Sequence, residues 1–291
     1  MGAQIAVVIP SLGRPSLRKA VATARSQDGV DSDVVVVVAD PEAERDVRAQ
    51  LDGLPARVVV APTRITGGAA RNLGVHSSSA QFIAFLDDDD WWEPTKLASQ
   101  LPVAEDLVAR GHAVVGTQAV FHATDGRVRI IPAEPLRAGG DVADHLLRRS
   151  RIRFGQGFIQ TSMLLMDRAL AIAEPWNPAL RRHQDWDLII RTINRPDTEF
   201  AMVRKPLVHI MQGSAHSVSV SPDWQASLEW LCAVSDAVSG RARSDFITAV
   251  ALRSALAARD RHGVLQALRT LRHAPHAAAV IVGASGVLRR R

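Results

Sequence analysis

The 291-residue sequence predicts an α/β fold: a mostly parallel sheet with helices on both faces, followed by a helical C-terminal extension. Three observations carry this. Short, continuous apolar runs alternate with stretches of helical periodicity, the pattern of βαβ units. Polar residues stand at the ends of several runs, Ser11, Asp40 and Asp87 among them, and open α/β sheets bind ligands at that edge. From Trp224 onward the signal is helical, with breaks near Gly240, Gly263 and Pro275.

The first strand is IAVVIP (5–10), closed by a proline. Pro15 suits the first turn of a helix in which Leu17, Ala20, Val21 and Ala24 recur at helical spacing. VVVVVAD (34–40) is β-branched and apolar on both faces, as a buried parallel strand must be. PEAERDVRAQL reads as helix and ARVVVAP (56–62) as the third strand. Gly67 and Gly68 open a turn into the helix AARNLGVHSS, and QFIAFL (81–86) is the fourth strand. Pro94 is expected to begin a helix running to about Arg110. HAVVGTQAVFHA (112–123) and RVRIIP (127–132) form a hairpin turned by Gly126, ADHLLRRS reads as helix, and QTSMLLMD (160–167) as a strand. HQDWDLIIRTIN (183–194) is a helix with Leu188, Ile189, Thr192 and Ile193 inward, and FAMVRKPLVHIMQ (200–212) is a strand broken at Pro206. The expected domains are 1–222, with a nucleotide-binding half to about residue 92 and an acceptor half after it, and a basic helical extension, 223–291.

An apolar content of 47% with 22% charged residues is that of an ordinary globular chain with enough residues for a core. Cys232 is the only cysteine, which excludes an intrachain disulfide and a cysteine metal cluster. The start, MGAQIAVVIP, lacks a basic leader region, and no apolar stretch reaches the ~20 residues a spanning helix needs. A cytoplasmic location is expected, with peripheral attachment to the inner face of the membrane as an open addition. The net charge of +5 is uneven: residues 241–291 hold ten arginines against Asp245 and Asp260, a net +8, so the rest carries −3. A nucleic-acid partner is not expected, because Phe246 is the only Phe, Trp or Tyr in that tail and base stacking is poorly served.

FLDDDDWWEP (85–94) delivers Asp87, Asp88, Asp89 and Asp90 to the ligand edge of the sheet. Carboxylates so close raise one another's pKa unless a cation neutralises them, and hard divalent ions such as Mg²⁺ or Mn²⁺ prefer such oxygens and bridge to phosphates. Asp90 reads equally as the cap of the following helix.

VVIPSLGRPSLRKAV, GGAARNLGV, FIAFLDDDDWWEPTKL and HQDWDLIIR, in this order, resemble the family 2 glycosyltransferases of the GT-A (Rossmann-like) fold over roughly residues 4–220. The resemblance implies an enzyme that moves a sugar from a nucleotide-sugar donor to a hydroxyl acceptor with inversion, in cell-surface glycan or glycolipid assembly. The acceptor would be a glycan, a lipid-linked molecule or a small molecule. It implies a Mn²⁺ or Mg²⁺ held by Asp87 and Asp89, the D-x-D pair, with His216 in the loop SAHSVSVS as a further ligand. It implies donor contacts from Pro10, Ser11, Arg14, Asp40, Arg71, Asp87 and Asp88, Asp40 reading the base. It implies that Asp185 is the catalytic base, with helix capping as its structural alternative. The second strand ends ADPE where the family has Asp-Asp-Gly-Ser, and Gln184 stands where the family has Glu.

His209, in an apolar strand, reads as a satisfied edge histidine, and Trp91, Trp92 and Trp186 as packing aromatics that could also stack on a sugar. Two rival functions remain. A sugar nucleotidyltransferase would carry a glycine-rich loop after the first strand, where only Gly13 stands; a non-catalytic glycosyltransferase-like binding protein has no need of the acidic cluster. In the tail, Phe246, Ile247 and Val250, then Leu265, Leu268 and Leu271, recur at helical spacing. Their faces either pack on the body with the arginines solvated, or the arginines and the apolar segment 277–288 meet an anionic membrane.

Overall fold

The computed structural model describes residues 4–136, 140–212 and 223–288. The chain divides into two compact units, Met1–Ile131 with Ile159–Ala215, and Pro132–Phe158 with His216–Arg291.

The first unit is built on a nine-stranded sheet. Its strands are β1 (Ile5–Ser11), β2 (Ser32–Val38), β3 (Arg57–Val60), β4 (Phe82–Phe85), β5 (Trp91–Trp92), β6 (His112–His122), β7 (Val128–Ile131), β8 (Leu165–Asp167) and β9 (Thr198–Met211). The order is β3-β2-β1-β4-β8-β6-β9-β5, with β7 paired to β6. β1 to β4 run parallel to one another, β8 lies antiparallel to both β4 and β6, and β9 returns parallel to β6. The sheet is therefore mixed: parallel where the valine-rich runs predicted it, with β8 reversing direction beside β4.

Valines 34–38 of β2 are at most 1% exposed and β4 is wholly buried, as continuous apolar runs require. Pro10 shares the parity of Val8, whose carbonyl accepts the Leu86 N–H of the β4 side. Lacking an N–H, Pro10 ends that ladder, so the chain beyond β4 parts from β1 just where the aspartates begin. The helix Gly67–His76 lies against this edge, and a Cβ on Gly74 would overlap Val8 Cγ1. Only glycine permits so close a helix–strand approach.

Several local expectations change. The long helix begins at Lys96 with Thr95 at its cap position, so neither Pro94 nor Asp90 starts it. Trp91 and Trp92 form a short strand antiparallel to β9, pairing with His209 and Val208. β9 does not end at Pro206: its register on β6 passes from Thr117↔Val203 to Gln118↔Pro206 to Ala119↔Val208, a bulge that absorbs the missing donor. Residues Thr161–Met163 form a 3-10 turn before β8, where a continuous strand was expected.

The second unit is helical. Helix Val142–Leu147 is succeeded in the chain by Trp224–Ala233, by Gly240–Phe246 continuing through a π turn, Ile247–Leu252, into Arg253–Ala258, and by Arg261–Thr270 and Ala277–Ala284. Phe246 and Ile247 are buried, as their spacing predicted. Leu265 and Leu268 are not: they are 46% and 50% exposed, while Gly263 and Ala267 face inward. The fully buried Asp245 accepts the Arg149 N–H at 2.8 Å and the His276 N–H at 2.7 Å, tying the 140–158 segment to the helices. Among the described residues, no helix is long and apolar enough to cross a membrane.

Candidate active site

The acidic run leaves β4 and turns at once, the Asp90 N–H returning to the Asp87 carbonyl at 3.1 Å. This turn spreads the four side chains, with Asp88 and Asp89 sharing Arg14. Asp87 Oδ1 accepts from Arg71 Nη2 at 2.6 Å, and its Oδ2 accepts from Gln160 Nε2 at 3.1 Å. Asp88 is buried and accepts from Ser11 Oγ at 2.7 Å and Arg14 Nη1 at 3.2 Å. Asp89 Oδ2 accepts from Arg14 Nη1 at 2.7 Å. Asp90, 2% exposed, accepts from Ser162 Oγ at 2.6 Å and the Met211 N–H at 3.2 Å.

Asp90 is thus no helix cap. With Asp87 and Asp89 it offers one carboxylate oxygen to a group of three whose oxygens all lie within 4.8 Å of one another. Burial first, then the charges of Asp87 and Asp89, push its carboxyl well above the usual range. Burial also lifts Asp88, to about 6, against the pull of Ser11 and Arg14. Three converging hard oxygens carrying repulsion fit a small divalent cation, which would relieve the crowding that raises Asp90. The candidate ligand His216 lies outside the described residues.

The helix Gly67–His76 supplies Arg71, 7% exposed, whose second arm reaches Gln184 Oε1 at 3.1 Å. Arg71 therefore joins the end of β4 to the start of the helix Gln184–Ile193. Asp185, the next residue, does not serve as that helix's cap: His183 holds the cap position with φ 58° and makes no side-chain cap bond. Asp185 Oδ1 instead accepts from Thr161 Oγ1 at 2.5 Å. Burial raises its pKa, Arg71 opposes the rise, and Asp87 adds to it. The structure thus brings Asp185 into electrostatic range of Asp87, although they lie far apart in the chain.

Asp40 stands after β2, at the same sheet edge. Its partners there are the Glu42 N–H, at 3.1 Å, and Arg64, at 3.5 Å. The sequence did not mark the turn 160–163 as part of the site, although Gln160, Thr161 and Ser162 between them touch Asp87, Asp185 and Asp90. No spacing rule identifies Gln-Thr-Ser as a partner of aspartates so distant in the chain. The tryptophans pack. Trp91 stacks on His209 at 4.8 Å under the Lys19 ammonium, Trp92 lies beside Lys96 and donates to the Ser162 carbonyl, and Trp186 stacks on His183 at 5.6 Å. His209 is satisfied on both nitrogens, by His122 at 3.0 Å and Glu93 at 2.7 Å.

The family profile described as "Glycosyl transferase family 2" matches residues 6–163, more than half of the chain, and spans β1, Arg71 and the acidic turn. The chain belongs to glycosyl transferase family 2. It is similar to the amylovoran biosynthesis glycosyltransferase AmsB of Erwinia amylovora, 30% identical over 206 residues that cover 65% of this chain and 66% of AmsB. An uncharacterized glycosyltransferase of Haemophilus influenzae is 24% identical, over 75% of this chain and 71% of its own. Among solved structures, S. aureus TarS 1-349 in complex with UDP-GlcNAc has a TM-score of 0.59 at 12% identity, covering 91% of this chain and 79% of that one. Longer S. aureus TarS has a TM-score of 0.58 at 14% identity, over 87% of this chain and 43% of its own. At such identities the structural likeness speaks for the fold, the GT-A-like α/β architecture of this family.

Proposed function

We propose that this family 2 member transfers a sugar from a nucleoside diphosphate sugar to an acceptor hydroxyl, with inversion, in glycan or glycolipid assembly at the cell surface. The observation that carries this reading is Arg71, which links Asp87 of the acidic turn to the helix start that bears Asp185. Transfer from a nucleotide sugar needs charge compensation on the departing diphosphate and a base on the attacking hydroxyl, and the two must act from different sides of the anomeric carbon. Two acidic groups from distant chain segments, one bonded to the guanidinium and the other within its electrostatic reach, suit that division.

Asp87, Asp89 and Asp90 would hold a Mn²⁺ or Mg²⁺ ion. Such an ion stabilises negative charge developing on a leaving diphosphate. Arg14 and Ser11 bind the acidic turn and border the donor side of the site, with Pro10 ending the ladder between β1 and β4 beside them. Asp40 takes the nucleoside at the end of β2. Asp185 accepts the acceptor's proton; its raised pKa brings it nearer the working pH, which favours proton abstraction, and Thr161 fixes the carboxylate. The donor class is supported by the TarS structure with UDP-GlcNAc, and a role in glycan assembly by AmsB, named for amylovoran biosynthesis. The basic second unit would place the enzyme peripherally on an anionic membrane, where a lipid-linked acceptor is at hand.

The test is a panel of nucleotide sugars screened for Mn²⁺-dependent protection against thermal unfolding. A donor at a hundred times its Kd stabilises by about 2.7 kcal/mol, so a true donor is plainly visible. Absence of protection by every nucleotide sugar, with and without the metal, would refute the reading.

A further inference from the structure

In the second unit, helix Ala277–Ala284 runs directly into the turn Ser285–Leu288, and this rod is packed inside out. Its buried positions are the small residues Ala278, Ala279, Gly283 and Gly286. Glycine is required at both places: a Cβ on Gly283 would come within 2.6 Å of the Thr248 carbonyl oxygen, and one on Gly286 would overlap the Arg253 carbonyl. The rod therefore lies backbone to backbone on the helix it covers, and every large side chain but Val282 turns away. Ala277, Val280, Ile281, Ala284, Val287 and Leu288 are all exposed, at steps of three and four that form one stripe without a polar residue. Val280 and Ile281 are 49% and 52% exposed, Val287 and Leu288 68% and 82%.

The surroundings are cationic. Arg289, Arg290 and Arg291 come directly after the rod in sequence. Arg149, half-buried, has an Nε with no hydrogen-bond partner, and its pKa is lowered first by burial and then by the charge of the nearby Arg253. Arg253 belongs to the very helix on which Gly286 rests.

We infer that the stripe is a membrane-contact element, its aliphatic side chains set in the headgroup–acyl boundary of an anionic lipid surface, to which the net positive charge of residues 241–291 draws it. This rests on the peripheral-membrane part of the proposed function and gives it a location. Twelve helical residues rise only about 18 Å, too short to span a bilayer but sufficient to lie on one. A second copy of the chain is the poorer occupant. Six side chains, two of them alanine, fall far short of the ~800 Å² that each partner buries in a stable interface, and two copies of a segment of net charge +8 repel. Each basic residue near an anionic leaflet strengthens attachment about five-fold.

The experiment is co-sedimentation of the full chain with phosphatidylcholine vesicles, with and without phosphatidylglycerol, beside the double variant Ile281→Ser/Val287→Ser. Both positions are exposed, so the variant folds. The native chain should bind anionic vesicles at least ten-fold more tightly than neutral ones, and the variant should lose at least ten-fold. No preference for anionic vesicles, or a variant that binds like the native chain, would overturn the inference. So would a concentration-dependent dimer in sedimentation velocity that the variant abolishes while vesicle binding persists. Donor-dependent thermal protection, measured on the same samples, reports on sugar-nucleotide binding separately, so failure of one reading leaves the other standing.

Discussion

Arg71 Nη2 lies 2.6 Å from Asp87 Oδ1, and the guanidinium that makes this contact is 9% exposed at its side chain. The same guanidinium bonds Gln184 with its other arm and sits 4.6 Å from the Trp176 ring centroid. A planar fork presents two separate N–H arms to the two partners, a reach that the single nitrogen of a shorter lysine side chain does not reproduce. Arg71 is accordingly a structural bridge and a charge in the site at the same time.

Arg71→Lys should therefore fail on both counts. Lysine keeps the charge but not the two-armed reach, so at least one hydrogen bond is given up at a cost of about 1.5–3 kcal/mol where it is the one to the carboxylate, toward the lower end because Asp87 keeps Gln160. Donor affinity should fall along with stability. Urea denaturation and donor titration check this together. A lysine variant equal to the native protein in both would show that the bridge is not needed.

Asp89→Asn should abolish metal-dependent nucleotide-sugar binding while leaving the fold intact, since the change is isosteric and removes a charge from the crowded turn. The variant retains an oxygen acceptor for Arg14. Titration calorimetry with Mn²⁺ and donor reads the outcome, and undiminished metal-dependent binding would remove Asp89 from the ligand set.

Much of this site could be read from the sequence because backbone physics makes it local. An apolar run that reads as a buried strand carries the residue after it to the sheet edge, so Ser11, Asp40 and Asp87 are placed by standing at the ends of such runs. The family resemblance supplied Arg71 and Asp185. The hidden part was tertiary. Asp90 reads as a cap because aspartate before a proline favours one, yet the bonds from Ser162 and Met211 hold it in the core. Pro206 reads as a break, yet a bulge against Gln118 carries the strand past it. Leu265 and Leu268 read as an inward face because periodicity identifies a stripe but not its direction. Here Gly263 lies so close to the Trp224 ring that the small residues claim the interior.

His183 should control acid stability. Its φ of 58° is one of two left-handed non-glycine conformations among the described residues, and burial, with Arg182, pushes its imidazole down to about 3. The folded state keeps this ring neutral to about pH 3 while the unfolded chain takes the proton near pH 6.5, so between these values the unfolded state binds more protons. Stability from this group is complete above about pH 6.5 and is lost as pH falls. His183→Asn, which tolerates the left-handed backbone, should flatten the unfolding free energy between pH 4 and 6 by about 1.4 kcal/mol per pH unit. An unchanged slope in urea melts across that window would show that His183 titrates normally.

Asp185→Asn separates donor binding from proton transfer. The carboxylate is tied to Thr161 rather than to Arg14 or the acidic turn, so its replacement should leave donor affinity nearly unchanged. An amide cannot take the acceptor's proton, and turnover should fall by roughly two to four orders of magnitude. The pH profile adds a second readout. Burial raises the Asp185 pKa, so the native enzyme should lose kcat as pH drops through a value above the ordinary carboxylate pKa of about 3.9, and the variant should lose that acid limb. Thr161→Val removes the hydroxyl that holds the ionised form; it should move the limb to higher pH while the carboxylate remains. A variant Asp185→Asn that unfolds, or one that transfers sugar at the native rate, would assign the residue to structure alone.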